Sequence, residues 1–157
     1  MNHSVFIASA IVALAITAGA QQAGQPKAPY YFHPARGSGT TYHTGANGAS
    51  AGRTTTSGNG TYYFNANGSS AGRSQTRGNV TYHYNANGSS AGRTTTSGNN
   101  AYHFNANGSS AGRSQTRGNV TYHYNANGSS AGRSVTSGNT TYHYDAKGRV
   151  IGFSRAR

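Results

Sequence analysis

From Thr41 to the C-terminus, polar and aromatic residues follow one short pattern that returns every twenty residues. Each copy begins with alternation, as in Thr81-Tyr82-His83-Tyr84, which predicts a strand with Tyr82 and Tyr84 on one face and Thr81 and His83 on the other. Asn85-Ala86-Asn87-Gly88 then predicts a turn, because Asn tolerates left-handed geometry and Gly adopts positive φ without steric cost. Ser89 to Thr96 reads as a second strand and Ser97-Gly98-Asn99 as a second tight turn, so each unit is a hairpin. A four-residue loop at Asn85 to Gly88 sets Tyr84 opposite Ser89 and Tyr82 opposite Ala91, with Arg93 next along that face. An Arg there can lie over a Tyr ring.

The copies barely drift: residues 61–80 read TYYFNANGSSAGRSQTRGNV and residues 81–100 read TYHYNANGSSAGRTTTSGNN. Such self-similarity marks a repeat architecture, in which units that cannot bury a face alone stack on one another. After residue 20 the aliphatic supply is nearly confined to Val80, Val120, Val135, Val150 and Ile151, so the apolar material is the aromatic ladder. The expected fold is all-β: tandem twenty-residue hairpins in an elongated antiparallel sheet, spiral or solenoid, with both aromatic positions stacked along one face. The closing segment 149–157 breaks the pattern with Val150, Ile151 and Phe153 and is expected to cap the terminal repeat.

The first forty residues differ. Val5 to Ile16 is a short apolar run followed by Ala18-Gly19-Ala20, which reads as a secretory signal peptide over 1–20. Residues 21–40 hold Pro26, Pro29 and Pro34 and read as a linker or degenerate repeat, leaving 41–157 as the repeat domain. The expected location is secreted, periplasmic or cell surface.

Charge changes the picture most. Thirteen Lys and Arg face one acidic residue, Asp145, for a net charge of +12. That field attracts polyanions and opposes self-association. The same inventory argues against an enzyme, since one carboxylate allows no paired-acid hydrolysis and leaves a Ser-His pair without its usual acidic orienter. There is no cysteine, hence neither disulfides nor a thiolate metal site. His43, His83, His103, His123 and His143 recur at one position, but two strands per repeat put equivalent residues roughly 9–10 Å apart, too far to share an ion. They read as exposed strand residues, and no metal or cofactor is expected. Asn67-Gly68-Ser69 and its equivalents match a glycosylation sequon, as a by-product of Asn-Gly turns followed by Ser.

The last unit resembles a known family. Tyr144-Asp145-Ala146-Lys147-Gly148-Arg149, preceded by Gly138-Asn139, is similar to the bacterial YD (RHS-type) repeat: an aromatic, Tyr-Asp, two free residues, Gly-Arg, and a Gly-Asn turn. The resemblance spans about residues 41–152, although the earlier units carry Asn65, Asn85, Asn105 or Asn125 for the Asp and Ser69, Ser89, Ser109 or Ser129 for the Arg. It implies a spiralling sheet of consecutive hairpins in a secreted or surface-exposed bacterial protein concerned with contact, toxin delivery or carbohydrate binding. Encapsulation of a toxin needs a far longer array.

The expected function is that of an exported, non-catalytic repeat protein that binds glycans or anionic polymers at the cell surface or in the matrix. Candidate binding residues are Arg53, Arg73, Arg93, Arg113 and Arg133 with Tyr62, Tyr82, Tyr102, Tyr122 and Tyr142. The expected partners are anionic polysaccharide, lipopolysaccharide or another polyanion; cytoplasmic nucleic acid is disfavoured because an exported chain does not meet it. The alternative is a self-assembling extracellular fibre or amyloid-like subunit, a homo-polymer built by hairpins adding edge to edge.

Overall fold

A computed structural model describes residues 38–157. The signal segment and all but the end of the linker lie outside the described residues. Each repeat yields a strand of eight residues and one of five, except at the two ends. In chain order they are β1 Gly39–Gly45, β2 Ser50–Ser57, β3 Gly60–Phe64, β4 Ser70–Arg77, β5 Val80–Tyr84, β6 Ser90–Ser97, β7 Asn100–Phe104, β8 Ser110–Arg117, β9 Val120–Tyr124, β10 Ser130–Ser137, β11 Thr140–Tyr144 and β12 Val150–Ala156. All twelve run antiparallel to their neighbours, and β12 returns to pair with β1.

The sheet is therefore a closed barrel, not the open array expected from the repeat pattern. Closure satisfies the edge hydrogen bonds that an elongated sheet leaves exposed. It also gives segment 149–157 another part than a lid: Val150–Ala156 is the closing strand, with Tyr42 opposite Arg155 and Thr44 opposite Phe153 across the seam.

Register departs from the expectation in a regular way. Tyr84 faces Ser90 because the loop holds five residues, and Tyr82 faces Arg93 because a bulge between those pairs absorbs one extra residue of β6. Arg93 then meets Phe104 on β7, so crossing one repeat along the hydrogen bonds leads from Tyr82 to Phe104, two residues beyond the equivalent Tyr102. That offset recurs in each repeat, which tilts the strands and lets the barrel close.

Glycine is what the bulge requires. Gly72 has φ +131°, and a Cβ there would lie 2.3 Å from the Tyr84 carbonyl oxygen on the next strand. The wide loops are held differently. The Asn85 amide N–H donates to the Ser89 carbonyl, the Gly88 N–H donates to the Asn85 carbonyl, and Asn87 Oδ1 accepts from both the Ser89 backbone N–H and its hydroxyl. The last loop keeps the two backbone bonds, and Asp145 takes over the side-chain part: its Oδ1 accepts from the Lys147 and Arg149 amides, and its Oδ2 pairs with the Arg149 guanidinium at 2.7 Å. The Asp-x-x-x-Arg spacing of the final unit thus performs the turn-closing task that Asn and Ser share elsewhere.

The barrel is polar within and aromatic without. His43, His83, His103, His123 and His143 are only 1% to 4% exposed, and the Ser and Thr residues beside them are equally enclosed. Tyr42, Tyr62, Tyr82, Tyr102, Tyr122 and Tyr142 are 38% to 46% exposed on the outside. This corrects two sequence expectations: the aromatic ladder is not the packed face, and the histidines are not surface residues. Inside, the histidines and Tyr63 alternate with Ser, Thr and Gly, large against small, as the narrow interior of a barrel requires, while the other tyrosines find room on the convex side.

Candidate functional site

The enclosed side chains form a row with one member on each strand, joined by hydrogen bonds from Tyr63 round the barrel to Thr54. His83 Nδ1 bonds the Ser74 hydroxyl at 2.8 Å and Nε2 bonds the Thr94 hydroxyl at 2.8 Å. His103 repeats this between Thr94 and Ser114, His123 between Ser114 and Ser134, and His143 between Ser134 and Ser154. His43 carries the row across the seam, from Ser154 to Thr54. At the position where the second repeat has Tyr63, the phenol bonds Ser74 at 2.9 Å, and Tyr63 stands opposite Thr54 in register.

The row stays level because it undoes the tilt. The register partner of His83 on β6 is Gly92, yet Nε2 reaches Thr94, two residues along, and so returns the row to the equivalent place in the next repeat. Every imidazole points Nδ1 towards the preceding hydroxyl and Nε2 towards the following one. A neutral imidazole has one donor and one acceptor nitrogen, and a hydroxyl can both donate and accept, so the bonds can run head to tail in one sense. An imidazolium has two donors and would interrupt that sense. Burial pushes the His83 pKa down to about 4, and burial, reinforced by the charge of His83, pushes His103 to about 3. Burial raises Tyr63 to about 12 despite the Ser74 hydrogen bond that opposes it. This row was missed in the sequence reading, although its signal was present: a titratable residue recurring on the small-side-chain face of every first strand.

A second, hydroxyl-only layer lies towards the tight turns, where Thr76 bonds Thr81 at 3.0 Å and Thr136 bonds Thr141 at 3.0 Å. No histidine cluster with metal-holding geometry occurs among the described residues.

The candidate binding residues all face outward. Each Arg of the repeats sits between two aromatic rings: Arg93 has Tyr82 as register partner on one side and Phe104 on the other. Its guanidinium carbon lies 4.7 Å from the centre of the Phe104 ring, so it covers the aromatic of the following repeat rather than Tyr82. Arg53, Arg73, Arg113 and Arg133 do the same over Phe64, Tyr84, Tyr124 and Tyr144 at 4.3 to 4.9 Å. At the seam, where Phe153 takes the arginine position, Arg157 lies 5.2 Å from the Tyr42 ring instead. Such contacts are worth roughly 0.5–2 kcal/mol each and fix the direction of a flexible charged side chain.

Tyr62, Tyr82, Tyr102, Tyr122 and Tyr142 are left beside these held cations with nearly half of their surface open. Chemically the belt offers flat apolar rings alternating with oriented guanidinium groups, an arrangement suited to anions carried on a partly apolar backbone. Neither protein-family models nor curated proteins show any match to this chain.

Proposed function

We propose that the protein is an exported, non-catalytic barrel that binds anionic polymers or glycans through its outer belt of tyrosines and arginines. The observation that carries this reading is the exposure of the belt tyrosines next to arginines already held in place by a second ring. A net charge of +12 adds long-range attraction for a polyanion. Kinship with YD-repeat proteins and a secreted, periplasmic or surface location belong to the same reading, supported by the Asp145–Arg149 turn and by the sequence of residues 1–20.

A non-catalytic role is favoured because the barrel histidines are enclosed and committed to hydroxyl partners, while Asp145 is tied to Arg149 and its own loop amides. The fibre reading is weakened by closure, which leaves none of the described strands with an unpaired edge for a second chain. A polar interior and aromatic exterior also suit a membrane-spanning barrel. Strands of five to eight residues fall short of the roughly 9–11 needed for a span, however, and the outward face bears the five repeat arginines and Arg155.

The test is titration of the protein with an acidic polysaccharide at increasing salt. Affinity should fall steeply as ions screen the contact. Salt-independent binding, or equal affinity for a neutral polymer, would contradict the reading.

A further inference from the structure

The belt is not a uniform ring. Tyr42, Tyr62, Tyr82, Tyr102 and Tyr122 each have an arginine as register partner on the following strand. The sixth tyrosine, Tyr142, has Phe153 there instead, with ring centres 6.4 Å apart. The sequence thus supplies five Tyr–Arg pairs in succession around the outside; on the closing strand Phe153 takes the pairing position, and the arginines there are Arg155, opposite Tyr42, and Arg157, over its ring.

Equivalent residues lie at one level about the barrel axis, because the two-residue offset per repeat is matched by the strand tilt. Two strand spacings combined with that offset put successive pairs roughly 11–12 Å apart at the backbone, and farther at the side-chain tips. This is too wide for one small anion to bridge. It also exceeds the spacing of successive bases along a nucleic acid strand, about 3.4 Å when stacked. A linear polysaccharide suits it better, since apolar sugar faces can rest on separated tyrosines while carboxylate or sulfate groups between them reach the arginines.

From this spacing we infer that a single linear acidic polysaccharide winds around the outside of the barrel along the five Tyr–Arg pairs, from Tyr42 to Tyr122. The inference rests on the binding role proposed above and specifies its ligand and path. Each pair alone binds weakly, and affinity arises because the pairs act on one chain, so that every contact after the first is intramolecular.

The experiment compares two charge-matched triple variants with size-defined oligosaccharides of a sulfated uronate polymer, by calorimetry at fixed salt. R73Q/R93Q/R133Q removes three belt charges; R77Q/R117Q/K147Q removes three from the turns at the barrel ends. Circular dichroism melting of both variants establishes that the fold is retained, and single belt variants substitute if the triple does not fold. Affinity of the unaltered protein should rise at least about tenfold from a tetrasaccharide to a dodecasaccharide and then level off, with one long chain per barrel. The belt triple should lose at least about tenfold more affinity than the turn triple for the same loss of charge.

Equal losses in the two triples, or a tetrasaccharide that binds as tightly as the polymer, would overturn the winding path while leaving a general polyanion role intact. Tighter binding of a single-stranded oligonucleotide of matched length would overturn the choice of polysaccharide. Absence of binding to every anionic polymer would overturn the proposed function and this inference together.

Discussion

At the residue scale, the unusual feature is a core made of imidazole and hydroxyl groups. Enclosing polar groups is costly unless each finds a partner, and here the partners come from the neighbouring strands on both sides. The arrangement makes stability depend on pH in a definite direction. His83 and His103 have folded pKa values near 4 and 3, below the ordinary 6.5, so the unfolded chain takes up protons first as pH falls. Their contribution is complete above about pH 6.5 and is lost progressively towards pH 4 and 3. For His83 alone the shift corresponds to about 3 kcal/mol between those limits. Urea unfolding at pH 7 and pH 4.5 should show a clear loss at the lower value, and replacing His83 by Gln should reduce the difference. Equal stability at both values would contradict the enclosed, neutral state. Little of this was legible in the sequence. The alternation separated the Tyr face from the His face correctly, but hydropathy favours burying the rings, and only the curvature of a closed sheet reverses that preference.

Among the elements, strand and turn positions were largely legible, because Asn-Gly and Gly-Asn turns and the Thr-Tyr-His-Tyr alternation are local signals. The register was not. Placing Tyr82 opposite Ala91 overlooked both the fifth loop residue, Ser89, and the bulge at Gly92, whose one local sign is a glycine in mid-strand. The same error hid the partner of Arg93, whose ring belongs to the following repeat. Two alanine substitutions separate backbone conformation from crowding. Gly68 and Gly72 both have positive φ, but a Cβ at Gly68 meets nothing within 4 Å, whereas at Gly72 it meets a carbonyl oxygen at 2.3 Å. Gly68→Ala should cost about 1 kcal/mol, the usual penalty of a left-handed residue. Gly72→Ala should cost at least about 3 kcal/mol, because strain is joined by displacement of the neighbouring strand. Chemical denaturation of both variants checks the order, and similar losses would mean that the bulge yields easily.

At the scale of the whole molecule, closure unites these features. The same strand that pairs with β11 also pairs with β1, and its Ser154 accepts the enclosed row from His143 and passes it to His43. The tail's divergence from the repeats was legible, but its role was not: Phe153 and Ile151 suggested a lid because they are bulky, whereas the retained Gly152 and Ser154 are what a strand needs at those inner positions. Removing residues 150–157 should therefore expose two edges and break the row. The truncated chain should associate or melt at markedly lower temperature, and size-exclusion chromatography with thermal melting distinguishes these outcomes from an unaffected monomer. Closure itself is tested most directly by nuclear Overhauser contacts across the seam in the intact protein. The barrel predicts backbone proton contacts between Tyr42 and Arg155 and between Thr44 and Phe153, with the seam amides protected from exchange like those between β5 and β6. Absence of both contacts, with β1 and β12 amides exchanging as free edges, would contradict a closed barrel and return the molecule to an open array of hairpins.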